Sequence, residues 1–217
     1  MVLSRLSESQ LAILFGDNLT RFTIILPTIG RSSLKESVHS VLQQEYRDWR
    51  LYIIGDGVSI DSIWHYHELD DRISCFTFEE RHNDSGTHAR NYGLEIAETD
   101  WIAHLDDDDT WHANHLKLVF DTLQINTDAS MVRTFGRAFR WKHRSPRSSR
   151  LTRRLEQINE TDIMTPGMVY KRDLAKLAGN WSNDHNRHDS ILWFNMIKVG
   201  GKPIVIPHET FLYDRSN

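Results

Sequence analysis

Four consecutive aspartates, Asp106 to Asp109, follow the apolar run Trp101–Leu105 and stand just ahead of Trp111. Side by side such carboxylates repel, and each raises its neighbours' pKa unless a cation compensates. Their hard oxygens suit Mg²⁺ or Mn²⁺. Because Mg²⁺ is usually held by one or two carboxylates together with substrate phosphates, a D-x-D pair such as Asp106 and Asp108 fits a metal–diphosphate. The competing reading is a solvated acidic turn that caps the helix after Trp111. Twelve histidines also invite a metal reading. His112 and His115 lie one helical turn apart and His104 precedes the aspartates, yet zinc needs three or four converging ligands and no spacing supplies them. Trp111 and Trp181 are candidates to stack on a sugar, or else to pack in the core, and Trp193 reads as core.

These residues need elements to hold them. The β-branched run Phe22–Leu26 reads as a buried strand stopping at Pro27. Ser33 and Glu36 have capping-box spacing, and Leu34, Val38, Val41 and Leu42 then repeat at helical spacing. Residues 50–54 read as a second strand, ended by Gly55-Asp56-Gly57, and 73–78 as a third. Ala89, Gly93, Ile96 and Ala97 mark the inner face of a helix, with Asn91 and Gly93 assigned to close packing. Trp101–Leu105 is a strand. Leu116, Val119, Phe120 and Leu123 stripe the next helix. Strands at 130–135, 168–170 and 203–206 and helices at 173–178 and 191–199 complete the pattern. Strands alternating with helices over the first 125 residues predict βαβ units in an α/β fold with a mainly parallel sheet. Ligands of such sheets sit beyond the carboxyl ends of the strands. Thr28, Asp56 and the aspartate turn all fall there. There is no GxGxxG and no GxxxxGK[ST], so neither a dinucleotide fingerprint nor a P-loop is signalled.

Composition removes several classes. The 217 residues carry 26 Lys/Arg against 30 Asp/Glu, a formal charge of −4, and 39% hydrophobic residues argue against disorder. The lone Cys75 makes no internal disulfide and no cysteine-rich zinc site. No apolar run approaches the roughly 18 residues of a membrane span, and no secretory leader is recognisable. The expectation is a soluble, cytoplasmic protein. The small net charge hides an asymmetry: residues 137–154 hold eight Lys/Arg and no acid, so the rest of the chain carries −12. This basic segment reads as a loop. It either orders over a ligand, or contacts anionic lipid or glycan as a peripheral membrane patch, or stays a solvated arm. Nucleic acid ranks last, for want of a recognition fold.

Three stretches in order resemble one family. Residues 23–59, TIILPTIGRSSLKESVHSVLQQEYRDWRLYIIGDGVS, resemble the opening of a family-2 glycosyltransferase of GT-A fold. Residues 86–111, GTHARNYGLEIAETDWIAHLDDDDTW, resemble its G-x-x-x-ARN helix, strand and L-D-x-D-D-x-W turn. The stretch HDSILWFNMIKVGG resembles its E-D-x-x-L-W helix. The resemblance implies one GT-A domain over 1–217, with a nucleotide-sugar half at about 22–125 and an acceptor half at about 126–217. It implies that Pro27, Thr28, Arg31, Asp56, Arg90, Asp106 and Asp107 line the nucleotide-sugar site, with Asp56 accepting from the N3–H of uracil. Asp108 and Asp106 would hold Mn²⁺ or Mg²⁺, with the loop residue His208 as a further candidate. Asp189 would be the general base. The implied reaction moves a sugar with inversion from a nucleoside-diphosphate sugar, a UDP-sugar foremost, to a hydroxyl of a glycan or other acceptor.

Departures from the family pattern are Ile29-Gly30 for Tyr-Asn, Gly55 for the first acid of D-D-G-S, and His188 for the Glu before the base. A nucleotidyltransferase of related architecture and a non-catalytic nucleotide- or carbohydrate-binding module are the alternatives.

Overall fold

The computed structural model describes residues 21–139, 163–184 and 187–214. One eight-stranded sheet runs in the order β3-β2-β1-β4-β7-β6-β8-β5. Its strands are β1 Phe22–Thr28, β2 Trp49–Asp56, β3 Ile73–Phe78, β4 Trp101–His104, β5 Thr110–Trp111, β6 Met131–Phe139, β7 Met168–Lys171 and β8 Pro203–Asp214. Strands β3, β2, β1 and β4 are mutually parallel. Strand β7 is antiparallel to both β4 and β6, while β8 runs parallel to β6 and antiparallel to β5. The mixed, mostly parallel sheet agrees with the α/β expectation.

The helices are α1 Leu34–Leu42, α2 Ile60–Ile63, α3 Thr87–Ile96, α4 His115–Ile125, α5 Arg172–Leu177 and α6 His188–Lys198. They cover both faces. Phe22, Ile24 and Leu26 of β1 share one cluster with Val38 of α1 and Leu116 and Val119 of α4. Ile25 joins the opposite cluster with Ala89 of α3 and Leu192, Trp193 and Met196 of α6. This alternation explains why β1 is buried along its whole length. Gly93 lets α3 lie directly on β1, since a Cβ there would stand 2.8 Å from Ile25 Cγ2.

Several boundaries differ from expectation, each for a local reason. Strand β1 continues through Pro27 to Thr28, pairing Pro27 with Ile54. The carbonyl of Ile25 takes the Leu105 N–H, so residues 25 and 27 both face β4. Strand β4 pairs with β1 only as far as His104, opposite Ile25. The missing N–H of Pro27 therefore breaks no ladder bond. The Ser33–Glu36 capping box does not form: Ser33 is already helical, at φ −72° and ψ −15°, and makes no side-chain cap bond. Strand β8 extends eight residues beyond the expected end at Ile206. Its partner β6 runs on through Phe139, so the basic segment opens as paired strand and not as loop. Residues 140–154 lie outside the described residues.

Candidate active site

The carboxyl ends of β1, β2 and β4 bring Thr28, Asp56 and Asp106 to one edge of the sheet. The aspartate turn spans β4 to β5, and β5 pairs with Phe211 and Leu212 of β8. The turn is thus pinned between the two halves of the sheet.

Each aspartate of the turn has its own environment. Asp106 receives the guanidinium of Arg90, which is 3% exposed. Asp107 is buried and accepts from Thr28 Oγ1 at 2.6 Å, from the Ile29 N–H at 3.2 Å and from Arg31 Nη1 at 2.6 Å. Thr28 Oγ1 in turn accepts the Gly30 N–H at 3.0 Å. Asp107 therefore shapes the 28–31 segment through protein donors. Arg31 Nη1 also lies 3.3 Å from Asp108 Oδ2. Burial alone would lower the Arg31 pKa, but Asp107 and Asp108 outweigh it and the net shift is upward. Asp109 is fully buried. Three of the four acids therefore meet two arginines, Asp106 with Arg90 and Asp107 and Asp108 with Arg31, so protein cations offset part of the turn's charge. The formal remainder of two negative charges and the all-oxygen donor set fit one Mg²⁺ or Mn²⁺.

Among the described residues no group of three His, Cys, Asp or Glu side chains is placed to hold a metal. A site here would be completed by substrate oxygens. His208, expected on a loop, is an exposed residue of β8. His115 is a core residue whose Nδ1 pairs with Thr210 Oγ1 at 2.8 Å, and burial pushes its pKa down to about 3. Trp111 is also core, stacked on His115 and donating its indole N–H to the Pro166 carbonyl at 2.9 Å.

Asp56 ends β2 and is 5% exposed. Its Oδ1 accepts the backbone N–H of His82 at 2.9 Å and the His82 ring Nδ1 at 2.7 Å. Burial pushes this carboxyl up, but the His82 contacts, with the Asn83 backbone N–H adding to them, outweigh it, and its pKa falls below the ordinary carboxylate range. Nothing in the sequence pattern singles out His82. It comes from the loop between β3 and α3, distant in sequence from Asp56.

A second unforeseen group surrounds Arg90. Trp181, 3% exposed, lies with its ring 4.8 Å from the Arg90 guanidinium carbon. Its backbone is clamped by Asn91, which accepts the Trp181 N–H at 2.9 Å and donates to the Trp181 carbonyl at 3.0 Å. Asn91 thus serves as a hydrogen-bonding clamp and not only for close helix packing. The Trp181 indole N–H donates to Tyr170 Oη at 3.0 Å, so Tyr170 gives its own proton to His104 Nε2 at 2.5 Å. Burial, with Arg90 and His188 adding to it, holds His104 well below its ordinary pKa and therefore neutral.

Trp181 also meets the His188 ring edge-on at 5.2 Å. Asp189 follows in the first turn of α6. It is half-buried, and its Oδ1 accepts the Ser190 N–H at 2.7 Å. Burial raises its pKa above the ordinary value. The Ser190 bonds and Arg90 pull back, while Asp106 pushes further up. Asp189 therefore feels both members of the Arg90–Asp106 pair, which brings the end of β4 and the start of α6 into one electrostatic environment.

The model of glycosyl transferase family 2 matches residues 23–177. The chain belongs to glycosyl transferase family 2. Asp189 lies beyond the matched segment. Among curated relatives, the Escherichia coli UDP-Glc:α-D-GlcNAc-diphosphoundecaprenol β-1,3-glucosyltransferase WfgD is 33% identical over 111 residues, covering 50% of this chain and 43% of WfgD. The chain spans less than half the length of the first curated relatives it matches. Among solved structures, residues 1–349 of Staphylococcus aureus TarS in complex with UDP-GlcNAc superpose with TM-score 0.74 at 13% identity, covering 91% of this chain and 59% of that one. The mannosyltransferase PcManGT from Pyrobaculum calidifontis, in complex with GDP-Man and Mn²⁺, gives TM-score 0.70 at 18% identity, over 90% and 56% of the two chains. These likenesses establish the GT-A fold. Among the described residues no helix is long and apolar enough to cross a membrane.

Proposed function

We propose that the chain carries the active site of a divalent-metal-dependent, inverting glycosyltransferase that uses a uridine-type nucleoside-diphosphate sugar. The observation that carries the reading is the pairing of opposite acid environments at the end of β2 and the start of α6. Asp56 is held ionised beside the nucleoside position, while Asp189 is raised toward a proton-accepting pKa near Arg90 and Asp106. Pro27, Thr28 and Arg31 would line the nucleotide, and Arg90 would hold Asp106 against the ribose. Asp108, with Asp106 beside it, would hold Mn²⁺ or Mg²⁺. Bound there, the ion supplies Lewis-acid stabilisation to the leaving diphosphate.

Asp189 takes the proton of the acceptor hydroxyl as its oxygen bonds to the anomeric carbon. The anomeric bond to the diphosphate oxygen breaks, its electron pair leaving with the nucleoside diphosphate. A single carboxylate base acting opposite the leaving group gives inversion. The diphosphoundecaprenol-linked acceptor in the name of WfgD supports a hydroxyl of a lipid-linked glycan as acceptor.

The test is a panel of UDP-, GDP- and dTDP-sugars, each with and without Mn²⁺, read by thermal stabilisation. A ligand that binds the folded state raises apparent stability by mass action. The expected result is Mn²⁺-dependent stabilisation by UDP-sugars; stabilisation by none of the donors contradicts the reading.

A further inference from the structure

The loop between β3 and α3 is built around one contact. Its residues Asn83 and Ser85 hold φ of 53° and 57°, conformations uncommon outside glycine. Gly57, at φ +68°, leaves room for it: a Cβ there would stand 2.7 Å from Arg81 Cβ. The loop delivers His82 onto Asp56 with two donors, the backbone N–H and the ring Nδ1, both on Oδ1. The imidazole plane is fixed as well. It stacks on His88 at 3.8 Å with 10° between the rings, and Phe78 meets both imidazoles edge-on. Oδ2 takes no part in the His82 contacts, and the backbone N–H of the next residue, Asn83, adds a further donor to the carboxylate.

We propose that His82 is a specificity-determining residue: by occupying Oδ1 with two donors it fixes Asp56 as an ionised acceptor whose Oδ2 faces the nucleobase. This deepens the uridine-type reading above and rests on it. An ionised carboxylate only accepts hydrogen bonds. Uracil offers an N3–H donor, whereas cytosine offers a lone pair at N3. A fixed acceptor therefore selects the first and repels the second. A polar site rejects the partner that leaves its buried group unmatched far more strongly than an apolar one does. The depressed pKa of Asp56 agrees with this, because it keeps the carboxylate from becoming a donor.

The test is calorimetric titration of UDP and CDP, each with Mn²⁺, into the parent chain and four variants checked for folding by thermal melting. The parent should prefer UDP by at least about tenfold, one charged hydrogen bond's worth. His82→Leu should bring the two affinities within about threefold as that bond loses its fixed geometry. His82→Asn, whose amide N–H stands near the place of Nδ1, should restore most of the preference. Asp56→Asn gives the sharpest prediction. The His82 donors hold the amide oxygen, so the amide nitrogen turns to the base and preference shifts to CDP. In Asp56→Asn with His82→Leu the ring donor is gone and the amide oxygen is held by backbone N–H groups alone, so that shift should shrink. A purely structural role would weaken both nucleotides together and leave their ratio unchanged, which overturns the proposal. Undiminished preference for UDP in a folded His82→Leu chain, or in Asp56→Asn, also overturns it while leaving the uridine-type reading intact. Failure of the parent to bind UDP overturns both.

Discussion

The acids at the ends of β2 and β4 and the acid at the start of α6 are treated in opposite ways. On the nucleotide side, three carboxylates are already engaged by protein donors: Asp56 by His82, Asp106 by Arg90, and Asp107 by Thr28 and Arg31. On the acceptor side, Asp189 accepts hydrogen bonds from just its neighbour Ser190 among the described residues, and burial raises its pKa. Groups that bind a ligand are fixed in position by preorganised donors. A group that must take up a proton gains from the reverse, a desolvated setting that raises its basicity. The sheet edge and the start of α6 therefore divide the two tasks by varying what surrounds carboxylate side chains.

This contrast can be broken from either side. The largest effect on the nucleotide side is expected from Asp108→Ala: the Mn²⁺-dependent gain in UDP affinity should vanish while metal-free binding stays, as calorimetry would show. Asp107→Ala removes the acceptor shared by Thr28, Ile29 and Arg31. It should cost about 2–3 kcal/mol in urea unfolding and weaken UDP binding. Gly93→Ala presses a methyl onto Ile25 and should cost about 1–3 kcal/mol by overpacking, without changing the ratio of nucleotide affinities. Tyr170→Phe leaves the Trp181 indole N–H and His104 Nε2 without their shared hydroxyl. It should cost about 1–2 kcal/mol and lower the transfer rate more than nucleotide affinity, because Trp181 touches both Arg90 and His188.

Acidity separates the two sides without mutation. A base works only when deprotonated, so transfer should fall as pH drops through the raised pKa of Asp189. Asp56, its folded pKa lowered, stays ionised further into acid. Nucleotide binding should therefore persist at a pH where transfer has already declined. The same shift makes Asp56 a stabilising group above its unfolded pKa, with that contribution lost as pH falls through the lower folded value. Coincident acid limits for binding and transfer would erase the contrast.

The sequence carried the parallel half well. The alternating burial of Phe22, Ile24 and Leu26 against Ile25 is a periodic signal, and the aspartate turn is a contiguous one. What it did not carry are pairings made across the chain. His82 meets Asp56 over 26 residues and Asn91 meets Trp181 over 90, and neither pair leaves a periodicity or a fixed spacing. Pro27 misled because its penalty depends on which strand its missing N–H would face, a property of the sheet and not of the residue. Strand β8 reads short in sequence because Pro207, His208 and Glu209 interrupt the apolar pattern between Ile206 and Phe211. The role of Asp107 was hidden by its neighbours: four identical residues in a row do not say that Asp107 and Asp109 are the buried ones.

The division of labour between the two sides is tested most directly by Asp189→Asn. UDP-sugar binding in the presence of Mn²⁺ and sugar transfer are measured on the same preparation. The expected result is UDP-sugar affinity within about twofold of the parent and transfer reduced by about 10²- to 10⁴-fold, the usual contribution of a positioned base. Transfer at the parental rate would contradict the account.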